Sequence, residues 1–313
     1  MSSIYTLTLN PAVDRELTVP AIEYDTVLRA SQWQVDYGGK GFNVSRMLKS
    51  LGTDNVALGF AGGKSGEMLQ EGLESLGIGT DFVWVGEETR TNVSIVTDAH
   101  DRYIKVNEPG PTISPAELEA LIEKVRQRSA PGDWWVLAGS LPPGVPASFY
   151  AELVTVIQQA GAHAILDTSG EALRLGCQAK PFIVKPNDVE AEQLTGLPVA
   201  SQADIANAAQ AIQALGPTYV IISLGKQGVM AVTPEQTWLV ASPKVEERNP
   251  IGAGDSLVGG LIWGLYRGNL IEEALRWGVA CGAAAASLSG TGVASFERVQ
   301  SLHAQTRTNR ISM

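Results

Sequence analysis

Eight residues, Asn249-Pro-Ile-Gly-Ala-Gly-Asp-Ser256, hold the densest chemistry in the chain. Pro250 disfavours helix at Asn249, so a helix is expected to begin close to the glycines. Gly252, Ala253 and Gly254 have almost no side chain and let a ligand approach the backbone. The unpaired N–H groups of a first helical turn, at the positive end of the helix dipole, form an anion site. Asp255 falls in that same turn. A carboxylate beside a phosphate cradle repels phosphate, unless it takes a proton from a hydroxyl attacking that phosphate. The chemistry spelled out is phosphoryl transfer, with Asp255 as base and the amides of residues 252–255 as the hole for charge on the transferred group. A capped helix after a glycine turn accounts for the same eight residues, so the rest of the chain must decide.

The elements around this stretch suit the chemical reading. Ile4 to Leu9 reads as a strand breaking at Asn10-Pro11, and Val56–Phe60, Trp134–Ala138, Ala164–Asp167, Phe182–Lys185 and Tyr219–Ser223 as further strands. Helical spacing covers 42–51, 66–76, 115–129, 147–160, 187–195, 202–215, 253–267, 271–287 and 296–305. Val229–Thr233 with Thr237–Val240 reads as a hairpin. This alternation predicts an α/β fold with a parallel sheet covered on both faces, where ligands collect beyond the carboxyl ends of the strands. Polar or glycine residues recur at those ends: Gly139-Ser140, Asp167, Lys185-Pro-Asn187 and Ser223-Leu-Gly225. Phe82–Val85, Asn92–Thr97 and Tyr103–Val106 follow in quick succession and suggest a small separate sheet. Joined to the 14–34 region, they form a candidate lid.

Each constellation has a plainer account beside the functional one. Gly38-Gly39-Lys40-Gly41-Phe42-Asn43 lets a sugar approach backbone amides with Asn43 on its hydroxyls, or it is a loop before a capped helix. Arg29 and Arg90, with Arg102 and Lys105 as weaker candidates, offer cations to a phosphate already on the substrate, or are surface residues. Asn187-Asp-Val-Glu190 has capping-box spacing, and the same pair can hold waters around a Mg²⁺ that bridges nucleotide phosphates. Lys185 neutralises a phosphate or ends a strand, and Ser223 with Gly225 and Gly228 faces a nucleotide or turns a hairpin. Gly63-Lys64-Ser65 is no P-loop, because the first glycine required falls on Leu58. His100, His163 and His303 are scattered without metal spacing, and no Gly-x-Ser-x-Gly elbow occurs.

Composition narrows the field. The 313 residues suffice for one large or two smaller domains, and 44% hydrophobic with 18% charged residues is ordinary for a globular chain. A net charge of −10 argues against nucleic acid or an anionic membrane as main partner. Cys177 and Cys281 give no disulfide framework. Neither a signal peptide nor a membrane-length apolar run is read, since 278–288 is too short to span a bilayer. A cytoplasmic location is expected.

Together these residues resemble the ribokinase/phosphofructokinase-B family of sugar kinases. The stretch from Gly38 to Gly52 resembles its first signature and Gly252-Ala-Gly-Asp-Ser256 its second. Ile4 to Asp14, Thr89-Arg-Thr-Asn92, Gly139 to Gly144, Asp167 to Glu171, Val184 to Asn187 and Ile222 to Gly225 are similar to the branch acting on phosphorylated ketohexoses. That branch holds 1-phosphofructokinases, minor-type 6-phosphofructokinases and tagatose-6-phosphate kinases. The resemblance implies a ribokinase-like, Rossmann-type central parallel sheet with helices on both faces and a small β-sheet lid, formed here by about 12–36 and 86–110 and often paired in a homodimer. It also implies ATP and Mg²⁺. By motif, Asp255 becomes the base and Gly252, Ala253 and Gly254 the anion hole. Asp14, Gly38, Gly39, Lys40, Asn43 and Ser140 contact the sugar, with Arg29 and Arg90 on its phosphate. Lys185, Asn187, Ser223, Gly225 and Gly228 face the nucleotide, and Asn187 and Glu190 hold the metal through water. Asn249-Pro250 replaces the Asp-Thr of many members and is similar to the tagatose-6-phosphate kinases; Lys40 points to 1-phosphates or tagatose 6-phosphate, and Gly62 to Glu67 toward 6-phosphates. Fructose 1-phosphate is the first expectation. A non-catalytic sensor of sugar phosphate or nucleotide is the reading from a different class.

Overall fold

Strands that are apolar on both faces need cover on both sides, and the central strands of this chain have it. The computed structural model describes residues 2–99, 102–288 and 292–311, so His100 lies outside the described residues. The first half runs β1 (Ile4–Thr8), β2 (Ala12–Val19), β3 (Gln32–Gly38), α1 (Lys40–Ser50), β4 (Val56–Ala61), α2 (Gly63–Ser75), β5 (Gly79–Thr80), β6 (Val83–Trp84), β7 (Arg90–Thr97), β8 (Tyr103–Asn107), α3 (Pro115–Arg128), β9 (Trp134–Ala138) and α4 (Phe149–Gln159). The second half adds β10 (His163–Asp167), α5 (Gly170–Gln178), β11 (Ile183–Val184), α6 (Asp188–Thr195), α7 (Gln202–Ala214), β12 (Tyr219–Ser223), β13 (Val229–Val232), β14 (Thr237–Ala241), α8 (Ala253–Tyr266), α9 (Ile271–Ala286), α10 (Phe296–His303) and β15 (Arg307–Ile311).

The main sheet runs β15-β14-β13-β12-β11-β10-β9-β1-β4-β5, with β6 also on β4. It is parallel from β4 to β12 and turns antiparallel at β13, β14 and β15. Alternation along β9 shows the two-sided burial: Trp135 and Leu137 enter one core, Trp134, Val136 and Ala138 the other. The first core lies under residues of α3, α4, α5 and α7, the second under α1, α8, α9 and α10. The second side carries the reactive segment. Gly260 and Gly264 let α8 and α9 approach, since a methyl group at either would stand 2.5 Å from Cys281 Sγ or 2.8 Å from Ala274 Cα.

A second sheet of four strands, β3-β2-β7-β8, stands apart from the main one. Asp14 of β2 lies in register with Asp36 of β3 and Asn92 of β7. One expectation needs correction, and two elements were not foreseen. The strand at 82–85 does not join the small sheet, because Val83 and Trp84 pair with Phe60 and Ala61 of β4. Helix α5 was not foreseen; it is short and starts at a glycine, so periodicity had little to act on. Strand β15, Arg-Thr-Asn-Arg-Ile, is a polar edge strand without apolar alternation. No helix among the described residues is long and apolar enough to cross a membrane.

Candidate active site

The carboxyl ends of the parallel strands and the start of α8 enclose a cavity of about 930 Å³. Gly252, in the left-handed region at φ 79°, turns the chain into α8, where Asp255 occupies the first turn. The Ala253 N–H donates to the Pro250 carbonyl at 3.2 Å, and the Ser256 N–H to Gly252 at 2.9 Å. The N–H groups of Gly252, Gly254 and Asp255 have no acceptor among the described residues, so three of the four amides of the expected anion hole are unpaired. Asn249, whose Oδ1 accepts from the Ile251 N–H at 3.0 Å, folds the approach.

Asp255 is buried, and its Oδ2 accepts from Asn43 Nδ2 of α1 at 2.7 Å. Burial pushes its carboxyl up to about 6; the charge of Asp167 adds to this, while the Asn43 hydrogen bond, Lys40 and Lys185 oppose it. A carboxylate so tuned is ionised near neutrality yet basic enough to accept a hydroxyl proton. Asp167, the last residue of β10, is buried and carries a lysine on each oxygen. Lys40 Nζ is 3.1 Å from Oδ1 and Lys185 Nζ 3.3 Å from Oδ2. Burial works against its charge, but Lys185 and Lys40 outweigh burial and hold the carboxyl below the usual range. For Lys40 burial likewise opposes the charge, and Asp167 with Asp255 more than offsets it, raising its pKa. A methyl group on Gly254 would stand 3.7 Å from Lys185 Nζ, which puts that ammonium beside the first turn of α8.

On the small-sheet side, Asp14 lines the cavity and accepts from Asn92 Nδ2 at 2.7 Å. Gly38 makes room for it, since a methyl group there would lie 2.0 Å from Asp14 Oδ2. On the opposite side Ser223 ends β12 beside Asn187, and Gly225 to Gly228 make a single 3-10 turn. Gly228 holds φ 104°, and a side chain there would strike the Val240 carbonyl at 2.0 Å. Val245, Val279, Ala283 and Ala286 supply an apolar wall on that side, suited to a flat base.

Asn187 and Glu190 form a reciprocal capping box: the Glu190 N–H donates to Asn187 Oδ1 at 2.8 Å, and the Asn187 N–H to Glu190 Oε2 at 2.9 Å. Both also line the cavity, and Glu190 Oε1 takes no part in the box. A Mg²⁺ that keeps its waters and rests on phosphates needs only such outer oxygens from protein, so the pair fits one. No cluster of three or more metal-ligating side chains occurs among the described residues.

Of the residues singled out in the sequence, Asp14, Gly38, Lys40, Asn43, Lys185, Asn187, Glu190, Ser223, Gly225, Gly228, Gly252, Ala253, Gly254 and Asp255 all line this one cavity. Gly39, Arg29, Arg90 and Ser140 are not among its lining residues. Gly39 sits between two that are, at φ 144°. Ser140 and Arg29 are exposed. Arg90 spends its guanidinium on three carbonyl oxygens, those of Asn10 at 2.8 Å, Glu108 at 3.1 Å and Pro11 at 3.4 Å. Among the lining residues not singled out from the sequence are Asp36 and Arg46, whose side chains pair at 2.9 Å. The signal for Arg46 was its spacing: Lys40, Asn43 and Arg46 recur every third residue along one face of α1.

The pfkB family carbohydrate kinase model matches residues 7–297. A 1-phosphofructokinase of Bacillus subtilis is 36% identical over 311 residues, covering 98% of this chain and 100% of that protein. One of Escherichia coli strain K12 is 33% identical, with 96% of each chain covered. A crystal structure of Escherichia coli phosphofructokinase-2 in complex with potassium superposes with a TM-score of 0.92 at 34% identity, over 97% of this chain and 99% of that one. The same enzyme in complex with fructose-6-phosphate gives 0.90 at 33% identity over 97% and 99%. With a buried carboxyl in the same first helical turn as unpaired amides and the family match spanning nearly the whole sequence, the chain belongs to the pfkB family of carbohydrate kinases.

Proposed function

We propose that this kinase transfers the γ-phosphoryl group of ATP to the free primary hydroxyl of fructose 1-phosphate, giving fructose 1,6-bisphosphate. The observation that carries the reading is Asp255, its carboxyl raised to about 6, hydrogen-bonded to Asn43 and set in the same turn as three unpaired amides. Asp255 accepts the hydroxyl proton as the new O–P bond forms and the bond to ADP breaks. The amides of Gly252, Gly254 and Asp255, with Lys185 beside them, take up charge on the transferred group. Mg²⁺ resting on waters held by Asn187 and Glu190 would screen the nucleotide phosphates.

The four-stranded sheet serves as a lid whose closure excludes water, the competing acceptor. Trp33 and Tyr103 on its outer strands are 73% and 74% exposed, which supports pairing of two lids in a homodimer. Sedimentation velocity reads that directly, and a monomer would remove the pairing. The two cysteines are free and buried, in keeping with a reducing cytoplasm.

The substrate reading follows the curated relatives, while likeness to an enzyme crystallised with fructose 6-phosphate favours that sugar as second choice. Tagatose 6-phosphate is the third. ADP release measured side by side with the three sugars is expected to give the highest kcat/KM with fructose 1-phosphate, to cease with EDTA and to return with Mg²⁺. A higher value with either 6-phosphate transfers the assignment to that sugar. No ADP with any of them supports a non-catalytic sensor.

A further inference from the structure

Two lysines from different elements share one buried carboxylate. Lys40 opens α1, and Lys185 follows β11. The Asp167 between them is 2% exposed, and its carbonyl accepts from the Gly139 N–H at 3.0 Å, so backbone and side chain are both held. The two cations differ in access. The Lys185 side chain is 5% exposed, whereas that of Lys40 is 40% exposed and lines the cavity. One of the three N–H donors of Lys40 goes to Asp167 Oδ1. No second acceptor for this ammonium occurs among the described residues.

The start of α1 is a poor place for a lysine on local grounds. The first turn of a helix is its positive end, and α1 has neither an acidic residue in that turn nor a side-chain cap. Partial burial also opposes the charge. What supports it comes from three other elements, through the carboxylates of Asp167, Asp255 and, more weakly, Glu190. Asp255 is the base, and Glu190 belongs to the pair beside the nucleotide phosphates. An ammonium that feels both is within reach of a group passing from nucleotide to hydroxyl. Asn43, three residues along the same helix, already occupies Asp255 Oδ2 at 2.7 Å. Lys185 Nζ stands beside the first turn of α8, where the unpaired amides are.

We infer, resting on the phosphotransferase reading above, that Lys40 is a second cation on the transferred phosphoryl group, beside Lys185, rather than the sugar contact its motif implies. As the sugar oxygen bonds to the γ-phosphorus, the bond to the β-bridging oxygen breaks. The electron pair of that bond leaves with ADP, and the hydroxyl proton goes to Asp255. Lys40 stays protonated throughout and offsets charge on the phosphoryl oxygens. Asp167 is a positioning residue: it keeps the Lys40 ammonium aimed into the cavity when no γ-phosphate is bound.

The test measures dissociation constants of ATP and ADP without sugar, and steady-state kinetics with fructose 1-phosphate, in wild type, Lys40→Gln, Lys40→Arg and Asp167→Asn. ADP lacks the γ-phosphate, so Lys40→Gln is expected to raise the ratio of the ATP to the ADP constant about tenfold, the effect of one charge-assisted contact. It lowers kcat about 100-fold, as loss of one donor to developing charge does. KM for the sugar stays within about twofold, because no contact to the sugar is lost. Lys40→Arg keeps the charge and holds the ratio near that of wild type. Asp167→Asn moves the ratio the other way, since both ammoniums lose their counter-charge and draw the γ-phosphate more strongly. A purely structural role for these residues would not give opposite shifts. Lys40→Gln with a ratio or kcat equal to wild type, or with its loss carried by KM for the sugar, overturns the inference. If that variant does not fold, Asp167→Asn decides, and a ratio no lower than wild type overturns it. Nucleotide binding needs no sugar, so a wild type that phosphorylates no ketohexose monophosphate sinks the functional reading and leaves the ratio to judge Lys40.

Discussion

Asp255→Asn is expected to lower kcat by about 10²–10⁴-fold while leaving KM for the sugar nearly unchanged. Asparagine keeps an oxygen to accept from Asn43 Nδ2, now 2.7 Å from Asp255 Oδ2, so the cleft keeps its shape and loses only the proton acceptor. The same change is expected to make the protein more stable at neutral pH. Burial raises this carboxyl from 3.8 to about 6, so the folded state favours the protonated form. A raised folded pKa gives a contribution present below 3.8 and lost as pH climbs through about 6. Above that the ionised group costs of order 1–3 kcal/mol, since each tenfold change in proton affinity is worth roughly 1.4 kcal/mol. A neutral amide avoids this cost. Kinetics together with denaturant melts above and below pH 6 check both halves. A variant with more than about a tenth of wild-type activity would remove Asp255 from the role of base.

The second large effect is expected at Asp167, which the sequence marked only by its place at a strand end and at the head of the 167–171 stretch, with no role attached. Its side chain is 2% exposed and joins two lysines from different elements, Lys40 of α1 and Lys185 after β11. Asp167→Ala leaves the Lys185 ammonium, 5% exposed, without its carboxylate, and removing one partner of a buried pair costs about 3–5 kcal/mol. Asp167→Asn keeps the shape and costs less. Both remove a negative charge that holds Asp255 up, so the acid limb of kcat/KM is expected to move to lower pH. An unchanged limb with unchanged stability would show that the two aspartates are not coupled.

How much of this was legible in the sequence depended on whether a feature is local. The turn at 252–255 was readable because the steric freedom of glycine, the orphan amides and the carboxylate all sit within four residues. The strand-end rule gathered Lys185, Asn187 and Ser223 at one cleft because parallel strands share a direction. Arg46 escaped because an arginine on a helix with polar neighbours reads as a solvated face, and its partner Asp36 falls on the polar side of an alternating strand. Arg90 illustrates the converse. A motif names the residue, while its carbonyl partners at Asn10, Pro11 and Glu108 come from other stretches of the chain. Likewise the strand at 82–85 was bound to join β4 rather than β7 only through tertiary pairing.

The pH dependence of kcat/KM, measured with fructose 1-phosphate in the wild type, puts the most direct question to a buried carboxyl acting as base. Activity is expected to fall about tenfold per pH unit below about 6, where Asp255 takes up its proton. A profile level down to the ordinary carboxylate value of 3.8 in protein that is still folded would contradict that role.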